Sequence, residues 1–370
     1  MDPAEKWLNT DIAAIKPYEP GRPIEEVARE MGLDPGAISK LASNENPLGP
    51  SPHALRAMRQ HLNEMYLYPD GGAYHLRNKL AETYGVTRNQ VVLGNGSNEI
   101  LEFIGHCFMG VGRSVVVSAH AFVIYKLIAR MFNTTVKEIP ATPGLGHDLA
   151  AMAAAVDDST CAVFVCNPNN PTGTMVEHAE IVDFLAQVPE HVLVVFDEAY
   201  AEIALKEMPD TLRLLSARSN CIMLRTFSKA YGLAGLRIGY GIGPASVTEA
   251  LQKARQPFNV NRMAQEAALA ALDDTDFIQR SRSHFATSKT YLESVCKDLG
   301  VDYIPTAANF LLVKVGDGAG VTQRLTEKGI IVRPMAGYGL PEYIRVSFGR
   351  EHENEEFADE FRAIMTAHSV

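Results

Sequence analysis

The stretch from Thr226 to Tyr240, TFSKAYGLAGLRIGY, decides which fold this 370-residue chain adopts. It holds one lysine, Lys229, within an apolar, glycine-rich run. Because burial disfavours a charged ammonium group, a lysine in such surroundings tends to lose its proton and become a nucleophile. Ser228 and Arg237 supply donors of the kind that bind a phosphate. The stretch alone is equally compatible with a surface lysine beside a glycine turn, since lysine side chains often lie along apolar surface with the charge in water.

Two motifs upstream favour the nucleophile. Residues 166–173, CNPNNPTG, follow an apolar run and contain Asn167. Residues 191–200, HVLVVFDEAY, are typical of a buried parallel strand that ends at a carboxylate, Asp197. Ligands of open α/β sheets bind outside the carboxyl ends of the strands, and pyridoxal-phosphate enzymes need an acidic partner for the ring nitrogen. The order Asn167, Asp197, Lys229 therefore predicts that Lys229 forms a Schiff base with pyridoxal phosphate.

With these motifs the chain resembles the fold-type I pyridoxal-phosphate-dependent aminotransferases. It is similar, more narrowly, to the histidinol-phosphate aminotransferases through residues 16–21 (KPYEPG), 41–47 (LASNENP) and 344–349 (IRVSFG). The resemblance runs almost from end to end. It implies an α/β fold, with a large domain built on a mostly parallel central sheet and a smaller α+β domain.

The order of apolar runs and helical patterns indicates the same organisation. From residue 46 to residue 255 short apolar runs alternate with helical patterns, as in βαβ units. We predict a large cofactor-binding domain over residues 46–255, and a second unit made of an N-terminal arm (1–45) and a small C-terminal domain (256–370). The predicted strands are 90–94, 114–118, 135–139, 162–165, 192–197, 221–225, 238–242, 309–314, 330–333 and 343–347. The main predicted helices are 24–31, 73–84, 98–107, 122–132, 178–187, 264–272 and 276–299.

The resemblance also implies a set of cofactor-binding residues. These are Ser97, Asn98, Phe122, Asn167, Asp197, Tyr200, Ser228, Lys229, Arg237 and Tyr68. The loop GNGSNE at 94–99 ends a strand and opens a helix, whose backbone amides make an anion site; it lacks the third glycine of a dinucleotide fingerprint. Without the family context, we would interpret this loop as a plain turn with a helix N-cap.

Specific roles follow from the resemblance for the remaining positions. Phe122 stands where relatives often have a tyrosine that stacks on the cofactor ring. Asn167 and Tyr200 are expected to contact the ring oxygen, and Lys229, Asp197 and Tyr200 to be the catalytic residues. Tyr68 matches a residue that relatives extend across a dimer interface to the partner's cofactor phosphate. We therefore expect a homodimer.

Four residues are expected to bind the substrate: Tyr18, Asn167, Arg333 and Arg345. Guanidinium groups bind carboxylates and phosphates bidentately, and an arginine within a strand needs a reason to be there. The resemblance implies amino transfer between L-histidinol phosphate and 2-oxoglutarate in histidine biosynthesis. Three alternatives remain open at this point: an aromatic amino-acid aminotransferase, a threonine-phosphate decarboxylase of the same fold, and a non-catalytic pyridoxal-phosphate-binding protein.

Composition and charge argue against several other classes of protein. A formal net charge of −10 argues against a nucleic-acid partner. No run of about 18 apolar residues occurs, so we expect no membrane span. The five cysteines have no metal-binding or redox spacing and the histidines form no metal motif, which indicates a cytoplasmic protein without a metal site. No signal-peptide pattern opens the chain.

Overall fold

The computed structural model describes residues 7–8, 10–13, 15 and 21–367. The strands are β1 (Ser39–Lys40), β2 (Val91–Gly94), β3 (Ser114–Ser118), β4 (Thr135–Ile139), β5 (Thr160–Cys166), β6 (Leu193–Asp197), β7 (Cys221–Thr226), β8 (Gly239–Ile242), β9 (Tyr303–Ile304), β10 (Phe310–Lys314), β11 (Ile330–Ile331), β12 (Arg333–Pro334) and β13 (Tyr343–Ser347). The helices are α1 (Thr10–Ala13), α2 (Ile24–Met31), α3 (Pro52–His61), α4 (Tyr74–Tyr84), α5 (Ser97–Phe108), α6 (Ile124–Met131), α7 (Leu149–Ala154), α8 (His178–Gln187), α9 (Thr211–Ser216), α10 (Ala245–Ala254), α11 (Arg262–Ala271), α12 (Thr275–Asp298), α13 (Gly318–Glu327) and α14 (Glu351–Thr366). Among the described residues, none of these helices is both long and apolar enough to cross a bilayer.

A seven-stranded sheet forms the centre of the molecule, in the order β2-β8-β7-β6-β5-β3-β4. β8 is antiparallel to both of its neighbours, and the other six strands run in one direction. β3, β5 and β6 are buried over their whole length, as expected for parallel strands covered on both faces. This architecture confirms the predicted α/β fold class. The seven strands predicted for this sheet agree with the structure to within two residues at each end.

Side chains of the central strands alternate between two hydrophobic clusters, one on each face of the sheet. In β5, Val163 and Val165 belong to one cluster, while Ala162 and Phe164 belong to the other. The first cluster continues into the C-terminal part of the chain and includes Phe310 of β10. The residues after about position 300 are therefore anchored on one face of the central sheet.

The C-terminal part holds a four-stranded sheet in the order β12-β13-β10-β9. The sequence predicted one strand over residues 330–333, and this prediction is wrong. Ile330–Ile331 pairs in parallel with β1, whereas Arg333–Pro334 pairs antiparallel with β13. Pro334 has no N–H to donate, which suits the edge position of β12. The boundaries predicted for the two domains, at residues 45 and 255, stay a prediction.

Four long helices escaped the sequence analysis: α3, α10, α13 and α14. α13 begins Gly-Ala-Gly, which disfavours a helix by intrinsic propensity. The carboxylate of Asp317 accepts a hydrogen bond from the Gly320 amide and caps this helix. Ser51 caps α3 in the same way, with Pro52 at the first helical position. The starts of α3 and α13 are therefore stabilised by single capping side chains, although the apolar pattern of the sequence does not predict these helices.

A buried ion pair joins β7 to the segment that follows β6. The Nη2 atom of Arg225 lies 2.6 Å from Oε2 of Glu198, and its Nη1 atom lies 3.3 Å from Oε1 of Glu202. The Glu198 side chain is almost fully buried, and the Thr211 hydroxyl also donates to it. The arginine thus compensates two carboxylates that are removed from water.

We expect Arg225→Met to lower the free energy of unfolding by about 3–5 kcal/mol, because breaking a buried pair leaves an uncompensated charge. The matched control is Arg362→Met, which removes an exposed partner of Asp359 and should cost less than ~1 kcal/mol. Both values are measured by denaturant unfolding at one protein concentration. An equal decrease in the free energy of unfolding in the two variants would show that the buried ion pair stabilises the fold no more than the exposed one.

Candidate active site

The carboxyl edge of the central sheet brings together segments that are far apart in sequence. Ser97 opens α5 directly after β2, and Phe122 follows β3. Asp197 is the last residue of β6, and Lys229 follows β7. Arg237 precedes β8, and because β8 is antiparallel its amino end lies at this same edge. The topology alone therefore places these side chains around one cavity.

That cavity has a volume of about 390 Å³. Ten of the predicted residues line it: Ser97, Asn98, Phe122, Asp197, Tyr200, Ser228, Lys229, Arg237, Arg333 and Arg345. Tyr18 lies outside the described residues. Asn167 and Tyr68 are not in the wall that the described residues form. The wall also contains residues that the sequence analysis did not single out, among them Lys40, Ser43, Asn44 and Asn170.

Lys229 is held in a partly buried position at the centre of the cavity. Its Nζ atom donates a hydrogen bond to the backbone carbonyl of Ser43, at 3.0 Å, and lies 5.8 Å from the centre of the Tyr200 ring. Burial, reinforced by the positive charge of Arg345, lowers the pKa of Lys229 to about 8. Lys229 therefore has a larger neutral fraction near neutral pH than an ordinary lysine, which favours its action as a nucleophilic amine.

Asp197 has one oxygen occupied and one oxygen without a partner. The Tyr125 hydroxyl donates to Oδ2 at 2.7 Å, while Oδ1 is buried and has no hydrogen-bond partner within the described part of the chain. The residue is 4% exposed, and burial raises the pKa of Asp197 to about 6. Buried polar atoms in proteins are normally hydrogen-bonded. A ligand that donates to Oδ1, such as a protonated pyridine nitrogen, would satisfy it.

A phosphate-sized cradle lies at the start of α5, where two glycines allow close approach. Gly96 has a φ of +78°, and a Cβ atom there would lie 2.4 Å from Nη2 of Arg237. A Cβ on Gly239 would lie 2.3 Å from the backbone nitrogen of Ser97. The guanidinium and the first backbone amides of α5 therefore share a space that any larger residue would fill. Such helix starts bind anions.

The turn after β5 carries three asparagines, Asn167, Asn169 and Asn170, and the one in the cavity wall is Asn170. The Asn167 side chain is engaged with the backbone of Val176, since its Nδ2 donates to the carbonyl at 3.2 Å and its Oδ1 accepts from the amide at 3.0 Å. Asn170 accepts a hydrogen bond from Nη1 of Arg345. The motif CNPNNPTG holds two Asn-Pro pairs, and nothing in the sequence alone distinguishes which asparagine faces the cavity.

Tyr200 and the segment around Asn44 meet at the floor of the site. The Tyr200 hydroxyl accepts a hydrogen bond from Nδ2 of Asn44, at 3.0 Å, and burial raises the pKa of this tyrosine. The Asn44 side chain also accepts from the hydroxyl of Ser347. The LASNENP motif, which the sequence analysis used only for its resemblance, is thus part of the wall itself.

Two arginines stand directly opposite each other in the C-terminal sheet. Arg333 of β12 and Arg345 of β13 are paired residues of antiparallel strands, so their side chains share one face, and both line the cavity. Arg345 is 6% exposed, and its Nη2 donates to the Ala42 carbonyl at 2.7 Å. Like charges in this arrangement are destabilising unless an anion compensates them. Lys40, paired with Glu45 at 3.2 Å, adds another cation to the wall.

Tyr68 lies on the surface, 81% exposed, and stacks on Phe258 with 4.8 Å between ring centres. Its neighbours Met65, Tyr66 and Leu67 are exposed as well. Tyr68 therefore lies in an exposed aromatic and apolar surface segment, not in the cavity wall that the described residues form.

The residues present fit pyridoxal phosphate. The unpartnered buried oxygen of Asp197 suits the ring nitrogen, and the glycine cradle beside Arg237 suits the phosphate. The Lys229 amine, with its lowered pKa, suits the aldehyde. These three features lie in one cavity and match the ring nitrogen, the phosphate and the aldehyde of that molecule.

We expect Gly239→Ala to weaken binding of pyridoxal phosphate by about tenfold or more, because the new methyl displaces the Ser97 amide and removes a charge-assisted hydrogen bond. Gly235→Ala is the matched control, since a Cβ there meets nothing within 4 Å. Titration of the apoprotein with the cofactor, followed by absorbance, gives both dissociation constants. Unchanged affinity in Gly239→Ala would contradict the assignment of the cradle.

Comparison with known proteins agrees with this geometry. Residues 37–361 match the family described as "Aminotransferase class I and II". A histidinol-phosphate aminotransferase of Akkermansia muciniphila is 46% identical over 361 residues, covering 98% of this chain and 99% of the relative. Histidinol-phosphate aminotransferase 2 of Pseudomonas aeruginosa is 48% identical, with 94% of each chain covered.

A solved structure is similar over almost the whole chain. Histidinol-phosphate aminotransferase from Sinorhizobium meliloti, in complex with pyridoxal-5'-phosphate, superposes with a TM-score of 0.88 at 28% identity, covering 97% of this chain and 98% of that one. Residues 37–361, which the family model matches, contain the carboxyl edge of the sheet and the three arginines that line the cavity, Arg237, Arg333 and Arg345. This chain belongs to the aminotransferase class I and II family.

Proposed function

We propose that this chain is a pyridoxal-phosphate-dependent aminotransferase that moves an amino group between L-histidinol phosphate and 2-oxoglutarate, giving imidazole acetol phosphate and glutamate, in histidine biosynthesis. Full-length relatives near 46% identity bear that name. The observation that carries the proposal is the pairing of Arg333 with Arg345 inside the cavity. Two arginines at paired strand positions that line one cavity favour a doubly charged phosphate over a single carboxylate.

The same pair of arginines suits both reactions of an amino transfer. Histidinol phosphate carries a phosphorylated carbon next to its amino-bearing carbon, where glutamate carries its α-carboxylate. One anion site can therefore hold either molecule with its amino group in the same place. Arg345 is held by Asn170 and the Ala42 carbonyl, so its guanidinium is already oriented before substrate binds.

In the mechanism that we propose, bound pyridoxal phosphate supplies an aldehyde and an electron-withdrawing ring. Ser97, Ser228 and Arg237 would hold the phosphate, and Asp197 would accept a hydrogen bond from the ring nitrogen. Lys229 Nζ would hold the aldehyde end, and its free amine would take the proton from the donor's α-carbon. Its pKa of about 8 suits this role, because a general base works best when its pKa lies near the working pH.

We expect Arg333→Gln to raise KM for histidinol phosphate by about tenfold or more, because the variant loses a hydrogen bond to a charged group. The value of kcat/KM for phenylalanine, which has no phosphate, should change much less. Arg362→Gln, on the exposed face of α14, is the matched control. Steady-state kinetics with each donor and 2-oxoglutarate measures these constants in all three proteins. A wild-type preference for phenylalanine, or release of carbon dioxide from phosphothreonine, would replace the proposed substrate.

We also propose that the working enzyme is a homodimer in which Tyr68 contacts the partner's cofactor phosphate. Large apolar side chains around Tyr68 are exposed: Leu62, Met65, Tyr66, Leu67, Tyr74 and Phe258. Monomers rarely expose so many together, and such patches mark interfaces. A second copy that covers this patch would bring Tyr68 to a cofactor that it cannot reach in its own chain.

A hybrid dimer of Lys229→Ala with Tyr68→Ala tests catalysis and assembly together. We expect Lys229→Ala alone to bind the cofactor without turnover, and Tyr68→Ala alone to bind it roughly tenfold more weakly. The hybrid contains one site with neither defect, so it should recover roughly half of wild-type activity. Activity is measured on doubly tagged, purified hybrids, with the two parents as controls. A hybrid no more active than the parents' mean would contradict the shared site.

A cytoplasmic location is the remaining part of the proposal. All five cysteines are free thiols, and four of them are buried: Cys161, Cys166, Cys221 and Cys296. Buried reduced cysteines are common in proteins of reducing compartments. This supports the expectation from the sequence.

A further inference from the structure

Tyr125 is a buried tyrosine that the sequence analysis did not single out, and it contacts two of the proposed cofactor-binding residues. Its hydroxyl donates to Oδ2 of Asp197 at 2.7 Å. Its ring meets the Phe122 ring edge to face, with 5.7 Å between centres. It is fully buried, and it stacks nearly parallel on Phe164 with centres 4.8 Å apart. The side chain is thus fixed on three sides.

This arrangement leaves one oxygen of Asp197 for a ligand. Tyr125 occupies Oδ2, and Oδ1 is the buried atom without a partner in the described structure. Burial and the neighbouring Asp197 charge raise the pKa of the Tyr125 phenol well above its usual range, so the hydroxyl stays a donor. A donor that cannot ionise fixes both the rotation of the carboxylate and which oxygen remains open.

We propose that Tyr125 is the positioning residue for the cofactor ring: it turns the Asp197 carboxylate so that Oδ1 meets the ring nitrogen, and it supports Phe122 against the ring face. This inference rests on the proposed function, because it concerns the same cofactor site. Tyr125 touches no reacting atom in this account. It acts through Asp197 and Phe122.

The charge state of Asp197 depends on the same hydrogen bond. The titratable groups that face it are Tyr125 from α6, Cys166 from β5, and Glu198 and Tyr200 from the segment after β6. Burial raises the Asp197 pKa and Glu198 adds to the rise, whereas the Tyr125 hydroxyl and, after it, the Ala199 backbone amide oppose it. Losing the hydroxyl therefore raises this pKa further. The carboxyl group would then be protonated up to a higher pH, and a protonated carboxyl cannot pair with a pyridinium ion.

The test is Tyr125→Phe, which removes the hydroxyl and keeps the ring stacked on Phe164. We expect the apoprotein of this variant to bind pyridoxal phosphate about tenfold more weakly at neutral pH. We also expect the fall in affinity at acid pH to begin at a higher pH than in the wild type, since the group that must be ionised has the higher pKa. Equilibrium dissociation constants measured from about pH 5 to about pH 8 give both quantities.

Two comparisons separate positioning from a general loss of structure. Tyr84→Phe removes another largely buried hydroxyl, which lies 2.6 Å from the Tyr240 hydroxyl, and it should leave the pH profile of cofactor binding unchanged. In an Asp197→Asn background, Tyr125→Phe should produce little further loss, because the two side chains act as one unit. A wild-type pH profile in Tyr125→Phe, or additive losses in the double variant, would overturn the inference. A wild type that binds no pyridoxal phosphate would instead refute the proposed function.

Discussion

The structure depends on the burial of one carboxylate at the carboxyl edge of the central sheet. Asp197 is 4% exposed, and removing a carboxylate from water is costly unless hydrogen bonds and charges compensate it. Tyr125 and the Ala199 backbone provide part of the compensation, and a ligand that donates to Oδ1 would add to it. Lys229, Arg237 and Arg345 line the same cavity and favour an anionic ligand. Under the proposed function, Asp197 would be one half of an ion pair whose other half is the cofactor ring.

The site also depends on the close approach of the start of α5 to Arg237 and to β8. The start of α5 can face Arg237 only because Gly96 and Gly239 have no side chains to obstruct it. The C-terminal sheet brings Arg333 and Arg345 to the opposite wall through the pairing of two short strands. Under the proposed function, separate elements of the fold would hold the cofactor phosphate and the substrate anion. One substrate could then replace another while the cofactor phosphate stays in place.

The sequence allowed us to predict those site residues that lie in a recognisable local pattern. Fully buried strands such as β6 show continuous apolar runs, so Asp197 could be placed at a strand end. Lys229 and Arg237 followed from their surroundings and from the resemblance. Distinguishing Asn170 from Asn167 required the tertiary structure, because the choice depends on which side chain satisfies the Val176 backbone.

Other features had no sequence signal because contacts between distant segments create them. In the sequence, Tyr125 looks like an ordinary residue of an apolar helix face, and only the fold brings its hydroxyl to Asp197. Residues 330–333 form one apolar run, yet they pair with two different strands. Helix α13 is a different case, because its Asp317 cap is a local signal that the glycine-rich start of the helix obscured.

The most direct test of the account is the nitrogen-15 chemical shift of the pyridoxal phosphate ring nitrogen in the wild-type holoenzyme near neutral pH. If the open oxygen of Asp197 faces that nitrogen, the carboxylate stabilises the pyridinium ion, and the shift should be that of a protonated nitrogen. The shift of an unprotonated pyridine would contradict the account.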